Sequence, residues 1–273
     1  MIDVIKHMLS YPFMQRALIV GILVSLCASL LGVSLVLKRY SMIGDGLSHV
    51  SFGALSISLA MNIAPLKLSI PVVVIAAFFL LRLSSNSKIK ADAAIALISS
   101  SALAIGIITT SLTTGMNTDV GNYMFGSILA ISKDDVALSI ILSIVVLFLF
   151  IFCYNKIFAV TFDENFARAT GLKVGAYNML IAFSTAITIV LGMRMMGAML
   201  ISSLIIFPCL TSMRIFKSFY SVVISSAIVS VICFFVGMFF SYQFSTPAGA
   251  SVVIANLGML LLFSIIEALK NNT

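Results

Sequence analysis

Two side chains that could bind a metal ion stand one helical turn apart. Asp45 and His49 lie in the segment GDGLSH, residues 44–49, and His49 is one of two histidines in the chain. In a helix, residues four positions apart project from the same face. A carboxylate and an imidazole within reach of each other suit zinc or manganese, which accept oxygen and nitrogen ligands. The spacing therefore predicts a two-ligand metal site on a single helix.

The sequence around this pair is apolar. Of the 273 residues, 61% are hydrophobic and 9% are charged, whereas a soluble domain has about a quarter charged residues. Ionisable groups inside a bilayer are costly, and by default they mark an ion path or a proton relay. A pair that merely satisfies its own polarity in a helix bundle is the alternative. We favour the ion path, because burying such a pair in lipid brings no packing benefit.

The elements that must position the pair are long apolar runs. Several runs approach the roughly 20 residues that a helix needs to cross a hydrocarbon core of about 30 Å. Lipid offers backbone groups no partner, and these runs exceed the roughly 10-residue strands of a membrane barrel, so helices are predicted. We expect one all-α, polytopic transmembrane bundle of about eight or nine helices over residues 1–273. The predicted spans are 17–37, 42–61, 68–83, 91–113, 136–154, 176–195, 197–213, 220–240 and 248–266. The third and seventh are short, so eight or ten crossings also remain compatible with the sequence.

Charge predicts the orientation of the bundle. The formal net charge is +7, and the basic residues cluster in every second loop, such as Lys38 and Arg39 after the first span. This pattern places those loops, and the C-terminus, in the cytoplasm. It is typical of a membrane protein and gives no reason to expect nucleic acid as a partner. The four cysteines stand singly in apolar runs, which predicts buried thiols and no disulfide or zinc knot.

Missing motifs limit the chemistry. The chain has no GxxxxGK[ST] loop to cradle ATP, no HExxH and no GxSxG. We therefore expect no enzyme activity in this chain, and any energy for transport must come from a partner or an ion gradient.

Two loops are longer than a turn requires. In the inner one, residues 155–175, the segment FDENFARATG has Asp163 and Glu164 at its start and Arg168 towards its end, with Lys173 just beyond it. This charge order predicts a short helix that complements its own dipole. In the outer one, residues 114–135, the side chains of Asp119, Asp134 and Asp135 are expected to be solvated. Arg194, between two spans, is expected to snorkel outward or to line a cavity.

Several segments together resemble one family. The GDGLSH segment, YMFGSIL at 123–129, FDENFARATG at 162–171, GAML at 197–200 leading to Pro208, and PAGA at 247–250 occur in an order similar to that of the metal-ion permease family of bacterial ABC importers, the zinc, manganese and iron group. The resemblance covers nearly the whole chain. Its specificity lies in the order of the segments.

The resemblance implies a mechanism and a set of partners. It implies a permease in the bacterial cell membrane that pairs with a second permease copy or a paralogue, with a separate ATP-binding subunit and with a metal-binding solute-binding protein. The metal is then cargo, and no cofactor is expected. Asp45 and His49 match family positions facing the translocation path, and residues 160–175 match the cytoplasmic segment that couples to the ATPase. The coupling residues implied are Phe162, Asp163, Glu164, Phe166, Ala167, Arg168 and Gly171.

Three other functions are compatible with parts of the pattern. A secondary transporter would use Asp45 and His49 as a proton relay and need no ATPase. An intramembrane enzyme is disfavoured, because the chain offers no nucleophile–base set. Permeases for vitamin B12 and iron chelates share a related architecture, but their large substrates would have little use for this ligand pair.

Overall fold

The chain folds as a bundle of helices. The computed structural model describes residues 7–8, 10–86, 91–113 and 133–271, with backbone alone for 81–86, 91, 133, 195, 199 and 271. Eleven helices are assigned within these ranges. They are α1 (Pro12–Leu37), α2 (Ile43–Ala60), α3 (Pro65–Asn86), α4 (Ala91–Thr113), α5 (Lys133–Phe152), α6 (Tyr154–Phe162), α7 (Glu164–Ala169), α8 (Val174–Met196), α9 (Ala198–Ile215), α10 (Phe219–Phe244) and α11 (Ala248–Asn271).

The all-α prediction is confirmed, and each of the predicted spans coincides with a helix. Within the described ranges, six helices are long and apolar enough to cross a membrane. Of the rest, α3 and α9 carry shorter apolar stretches, Pro65–Leu80 and Leu200–Ile215, and α2 carries Asp45 and His49. The two short helices α6 and α7 fill the inner loop. The segment 123–129 and Asp119 lie outside the described residues.

Helix α2 occupies the interior of the bundle, where it contacts α3, α4, α8 and α9. Its approach to α4 depends on Gly53, where an added Cβ would lie 2.7 Å from the carbonyl oxygen of Ala102. A similar approach of α1 to α9 depends on Gly32, whose Cβ would lie 2.0 Å from the carbonyl oxygen of Ile205. A backbone atom cannot move aside as a flexible side chain can, so glycine is required at both contacts.

Most of the basic residues in the described ranges gather at one end of the bundle. Arg214, at the end of α9, lies 3.4 Å from Glu267 near the end of α11. The ring of Phe162 lies 5.9 Å from that of Phe219, where α10 begins, and Lys38, after α1, contacts Glu164 of α7. We call this end, defined by Lys38, Arg168, Arg214 and Lys270, the basic end.

The outer helices expose apolar surface, as lipid contact requires. Only 11% of the residues in the apolar stretch of α11 are buried within the chain. The corresponding share is 22% in both α4 and α5. Water would make such surfaces unfavourable, whereas lipid tails are as apolar as the side chains themselves. The protein is a multi-pass membrane protein. All four cysteines are free and buried, as predicted.

Candidate functional site

The structure brings Asp45 and His49 together on α2. His49 Nε2 lies 3.7 Å from Asp45 Oδ2, and the two side chains are 23% and 46% exposed, respectively. This separation is too long for a hydrogen bond. A tetrahedral ion bonded to both atoms at about 2.1 Å would hold them about 3.4 Å apart. The pair therefore needs little adjustment to hold one ion between its two donor atoms.

Asp45 faces a groove. A cavity of about 500 Å³ is lined by Asp45, by two serines of α9, Ser202 and Ser203, and by residues of α9 and α11 that include Phe207 and Ile254. The carboxylate and the two hydroxyls are oxygen donors among apolar walls. Such a surface offers a divalent cation a few oxygen ligands beside apolar walls.

The level of Asp45 in the bundle follows from packing between α2 and α9. An added Cβ on Gly44 would lie 3.1 Å from Cδ1 of Ile205, and Ile205 lies near the middle of α9. The start of α2 therefore sits beside the centre of a neighbouring helix. As a carboxylate in the first turn, Asp45 is also favoured by the dipole of its own helix.

The turn that leads into α2 is fixed by backbone hydrogen bonds. Arg39 has φ of 62°, and the amide of Tyr40 donates to the carbonyl of Leu35 at 2.8 Å, which closes α1 in the manner of a Schellman motif. The amide of Ile43 then donates to the carbonyl of Tyr40 at 3.0 Å. The segment from Lys38 to Asp45 is thus short and highly constrained.

Asp45 and His49 by themselves would fill only part of a metal ion's coordination sphere. Among the described residues, no group of three or more His, Cys, Asp or Glu side chains is placed to hold a metal ion. Zinc in structural sites takes four protein ligands. A site with two side-chain ligands from one chain suits an ion that must be released again.

Asp163 caps the short helix α7 at the basic end. Its Oδ1 accepts hydrogen bonds from the amides of Asn165 at 2.9 Å and Phe166 at 3.0 Å. The predicted short helix is confirmed, and this cap satisfies two of the amides that a helix start leaves unpaired.

Apolar rings are exposed on this segment. Phe162 is 60% exposed and Phe166 is 62% exposed. Large aromatic side chains at a water-facing helix are typical anchors for a partner protein. The Arg168 side chain is 67% exposed and lies 3.9 Å from Glu164.

Other residues of the segment hold its shape. Ala167 is fully buried in a small cluster with Val160 and Val174. Gly171 has φ of +82° with open space around its Cβ position, so its requirement is conformational. Ala167 and Gly171 therefore support the segment from within, and the exposed surface is carried by Phe162, Phe166 and Arg168.

Sequence reasoning missed two polar partners of this segment. Lys38 Nζ lies 2.7 Å from Glu164 Oε1, and it also donates a hydrogen bond to Asn178 Oδ1. Asn178 Nδ2 donates to the same oxygen of Glu164 at 3.0 Å. From the sequence, Lys38 was indistinguishable from the other basic loop residues. No local pattern indicated that Glu164 and Asn178 would be its partners.

Asp135 is paired rather than solvated, which corrects the sequence-based expectation. Arg194 Nη2 lies 2.7 Å from Asp135 Oδ2, with the side chains 16% and 17% exposed. The pair joins the start of α5 to the end of α8, at the end of the bundle opposite the basic end. Burying the guanidinium head is tolerable because a carboxylate meets it there.

The fold and the site define a class: a polytopic helical membrane protein with a carboxylate–imidazole pair on an inner helix and a capped, exposed helix at one end. The model of the family described as "ABC 3 transport family" matches residues 10–267. The chain therefore belongs to that family, and the resemblance seen in the sequence is confirmed.

Individual proteins agree with this assignment. The chain is 30% identical over 252 residues to the "High-affinity zinc uptake system membrane protein ZnuB" of Haemophilus influenzae, with 92% of this chain and 97% of that protein covered. It is 30% identical over 254 residues to the "Manganese import system permease protein ScaB" of Streptococcus gordonii, covering 93% and 91%. A solved structure, "PsaBC from Streptococcus pneumoniae in complex with Fab", superposes with a TM-score of 0.86 at 29% identity, covering 96% of this chain and 95% of that one.

Proposed function

We propose that this chain is the permease subunit of an ATP-driven importer that moves a divalent transition metal into the cytoplasm by alternating access. Zinc and manganese are the leading candidates, with iron as a further one. The observation that carries the proposal is the Asp45–His49 pair, whose donor atoms lie 3.7 Å apart, with Asp45 lining a groove between α2, α9 and α11. Relatives named for zinc uptake and manganese import support the choice of cargo.

A second copy of the chain, or a paralogue, completes the pathway in this proposal. Two ligands from each of two chains would give the four that a tetrahedral ion takes. Asp45 lines a groove that is open rather than enclosed, which suits an approach by a second chain. The ligands must bind the ion only weakly, because an ion that is held too tightly cannot leave.

The motor is a separate ATP-binding subunit that docks on the basic end. The exposed rings of Phe162 and Phe166 supply the apolar anchor, and Arg168 supplies a charged rim. The positive-inside rule places this end in the cytoplasm. A metal-binding protein on the outer side delivers the ion to the opposite end.

Reconstitution in liposomes tests this function. The chain together with its ATP-binding subunit is expected to accumulate zinc or manganese when ATP is supplied, and the chain alone is expected to move neither ion under a proton gradient. Metal movement by the chain alone, driven by a proton gradient, would identify a secondary transporter and overturn the proposal.

A further inference from the structure

Lys38 holds an unusual position for a lysine at a basic membrane loop. Its side chain is only 7% exposed, whereas the neighbouring Arg39 is exposed. Burying an ammonium group is costly unless it is paired and hydrogen-bonded. Lys38 meets both conditions through Glu164 and Asn178.

The three side chains belong to three different elements. Lys38 caps α1, Glu164 opens α7, and Asn178 lies in the first turns of α8. Burial alone would raise the pKa of the Glu164 carboxyl, but hydrogen bonds from Lys38 and Asn178 and the nearby positive charges outweigh it and hold that pKa below its usual value. The carboxylate therefore stays ionised, and the link stays intact, at neutral pH.

The same lysine is tied by the backbone to Asp45. Lys38 and Asp45 are seven positions apart, and the turn between them is closed by the amides of Tyr40 and Ile43. Ile43 is 3% exposed, so α2 begins in packed surroundings. A displacement of Lys38 would be passed to the first turn of α2 rather than absorbed by a flexible loop.

We propose that Lys38 is the positioning residue that couples α7 to the ion path. When α7 moves, Glu164 moves with it and displaces Lys38 through their ion pair. The α1–α2 turn then transmits this displacement to the first turn of α2 and changes the position of the Asp45 side chain. This inference rests on the proposed function, since it takes α7 to be the element that the ATP-binding subunit moves. Rigid elements joined by a discrete polar contact transmit motion in this way.

The amount of metal moved per ATP hydrolysed distinguishes this coupling role from a purely structural role of Lys38. Loss of coupling lowers that ratio, whereas loss of structure lowers hydrolysis and uptake together. Lys38→Met keeps the apolar stem and removes the charge. In the reconstituted complex it is expected to bind the ATP-binding subunit and to hydrolyse ATP, but to move about tenfold less metal per ATP. Lys38→Arg, which keeps the charge, is expected to recover most of that ratio. Arg39→Met removes a charge from the same turn and serves as the matched control, with the ratio unchanged.

Two results would overturn the coupling role. One is a wild-type ratio of metal to ATP in Lys38→Met. The other is a complex of Lys38→Met that assembles but loses hydrolysis and uptake in equal proportion, with no recovery in Lys38→Arg. If Lys38→Met fails to assemble, Glu164→Gln, which keeps the size of the side chain, takes its place. A wild-type ratio in that variant would also overturn the inference.

A distance measurement separates failure of this inference from failure of the proposed function. Spin labels at Met42→Cys and Lys217→Cys, in a background with the native cysteines replaced by alanine, report movement of α2 against the end of α9. ATP is expected to shift the label distance in the otherwise wild-type complex and to leave it fixed in Lys38→Met. If the wild type moves no metal, the importer function fails. If both complexes show the same shift, the coupling role of Lys38 fails even where the importer function holds.

Discussion

His49 Nε2 lies 3.7 Å from Asp45 Oδ2, one helical turn along the same face of α2. This distance is longer than a hydrogen bond. It is close to the separation of about 3.4 Å expected between two ligand atoms of one tetrahedral ion. Because α2 begins beside the middle of α9, the pair lies away from the ends of that neighbouring helix. In the proposed cycle this is where the ion is held.

Removing either ligand should stop transport without unfolding the protein. Asp45→Asn and His49→Gln keep the size of each side chain, and each is expected to lower metal uptake by about a hundredfold, since even the outer partners of metal ligands are worth about ten- to a hundredfold. Uptake of radioactive zinc or manganese into cells measures the effect, with membrane abundance measured alongside. Asp92→Asn is the matched control, because Asp92 is also a first-turn carboxylate, on α4, and is exposed. Normal uptake in both ligand variants would contradict the assignment.

Phe166 should be an anchor for the ATP-binding subunit. Its ring is 62% exposed on α7, and truncation of such an anchor costs about 2 kcal/mol of binding. Phe166→Ala is therefore expected to weaken the affinity for that subunit about thirtyfold. Binding in detergent, measured by titration, provides the comparison, with the exposed neighbour Asn165→Ala as control. Equal affinities for the wild type and Phe166→Ala would place the docking surface elsewhere.

The contribution of the Asp163 cap to the local stability of α7 should be measurable by hydrogen exchange. Asp163→Ala removes the acceptor of two amide hydrogen bonds, at a cost of about 1 kcal/mol to that helix. Hydrogen exchange of residues 164–169 is expected to accelerate, whereas Asp163→Ser, which can still cap, should stay near the wild type. Unchanged exchange in Asp163→Ala would mean that the cap contributes little, and that packing of Ala167 and the bonds of Glu164 hold α7.

Gly32 should be intolerant of any side chain. An added Cβ would lie 2.0 Å from the carbonyl oxygen of Ile205, and overpacking of this kind costs about 1–3 kcal/mol. Gly32→Ala is expected to lower the thermal stability of the detergent-purified protein. Gly175→Ala is the control, since open space surrounds that Cβ position. A Gly32→Ala protein as stable as the wild type would show that α1 and α9 can separate at little cost.

The Arg194–Asp135 pair should contribute to stability at the opposite end of the bundle. Asp135→Asn weakens the partner of a guanidinium that is 16% exposed, and hydrogen bonds to charged groups are worth about 2 kcal/mol. A lower midpoint of thermal unfolding is the expected result. The adjacent Asp134 is exposed, so Asp134→Asn should leave the midpoint unchanged. Equal midpoints for the two variants would show that solvent compensates for the pair.

The sequence predicted the helices well because the signal for them is local. Long apolar runs bounded by charges are imposed by the bilayer itself, and the spacing of Asp45 and His49 defines a shared face without knowledge of the fold. The helix α7 was equally visible from its acidic start and basic end. Each of these features lies within a single element.

Pairings between distant elements were not visible in the same way. Lys38 with Glu164, and Arg194 with Asp135, join residues 126 and 59 positions apart, and nothing local distinguishes them from solvated charges. Burial of Ala167 among Val160 and Val174 depends likewise on how the inner loop folds back. Ala167→Asp would therefore disrupt the segment itself, so Phe166 and Arg168 are better sites for testing docking.

The most direct test of the central claim is pulsed electron paramagnetic resonance of manganese(II) bound to the complex of the chain with its ATP-binding subunit. The account predicts a nitrogen coupling from imidazole in the manganese spectrum that disappears in His49→Gln. A spectrum without nitrogen coupling, in a complex that still imports manganese, would contradict it.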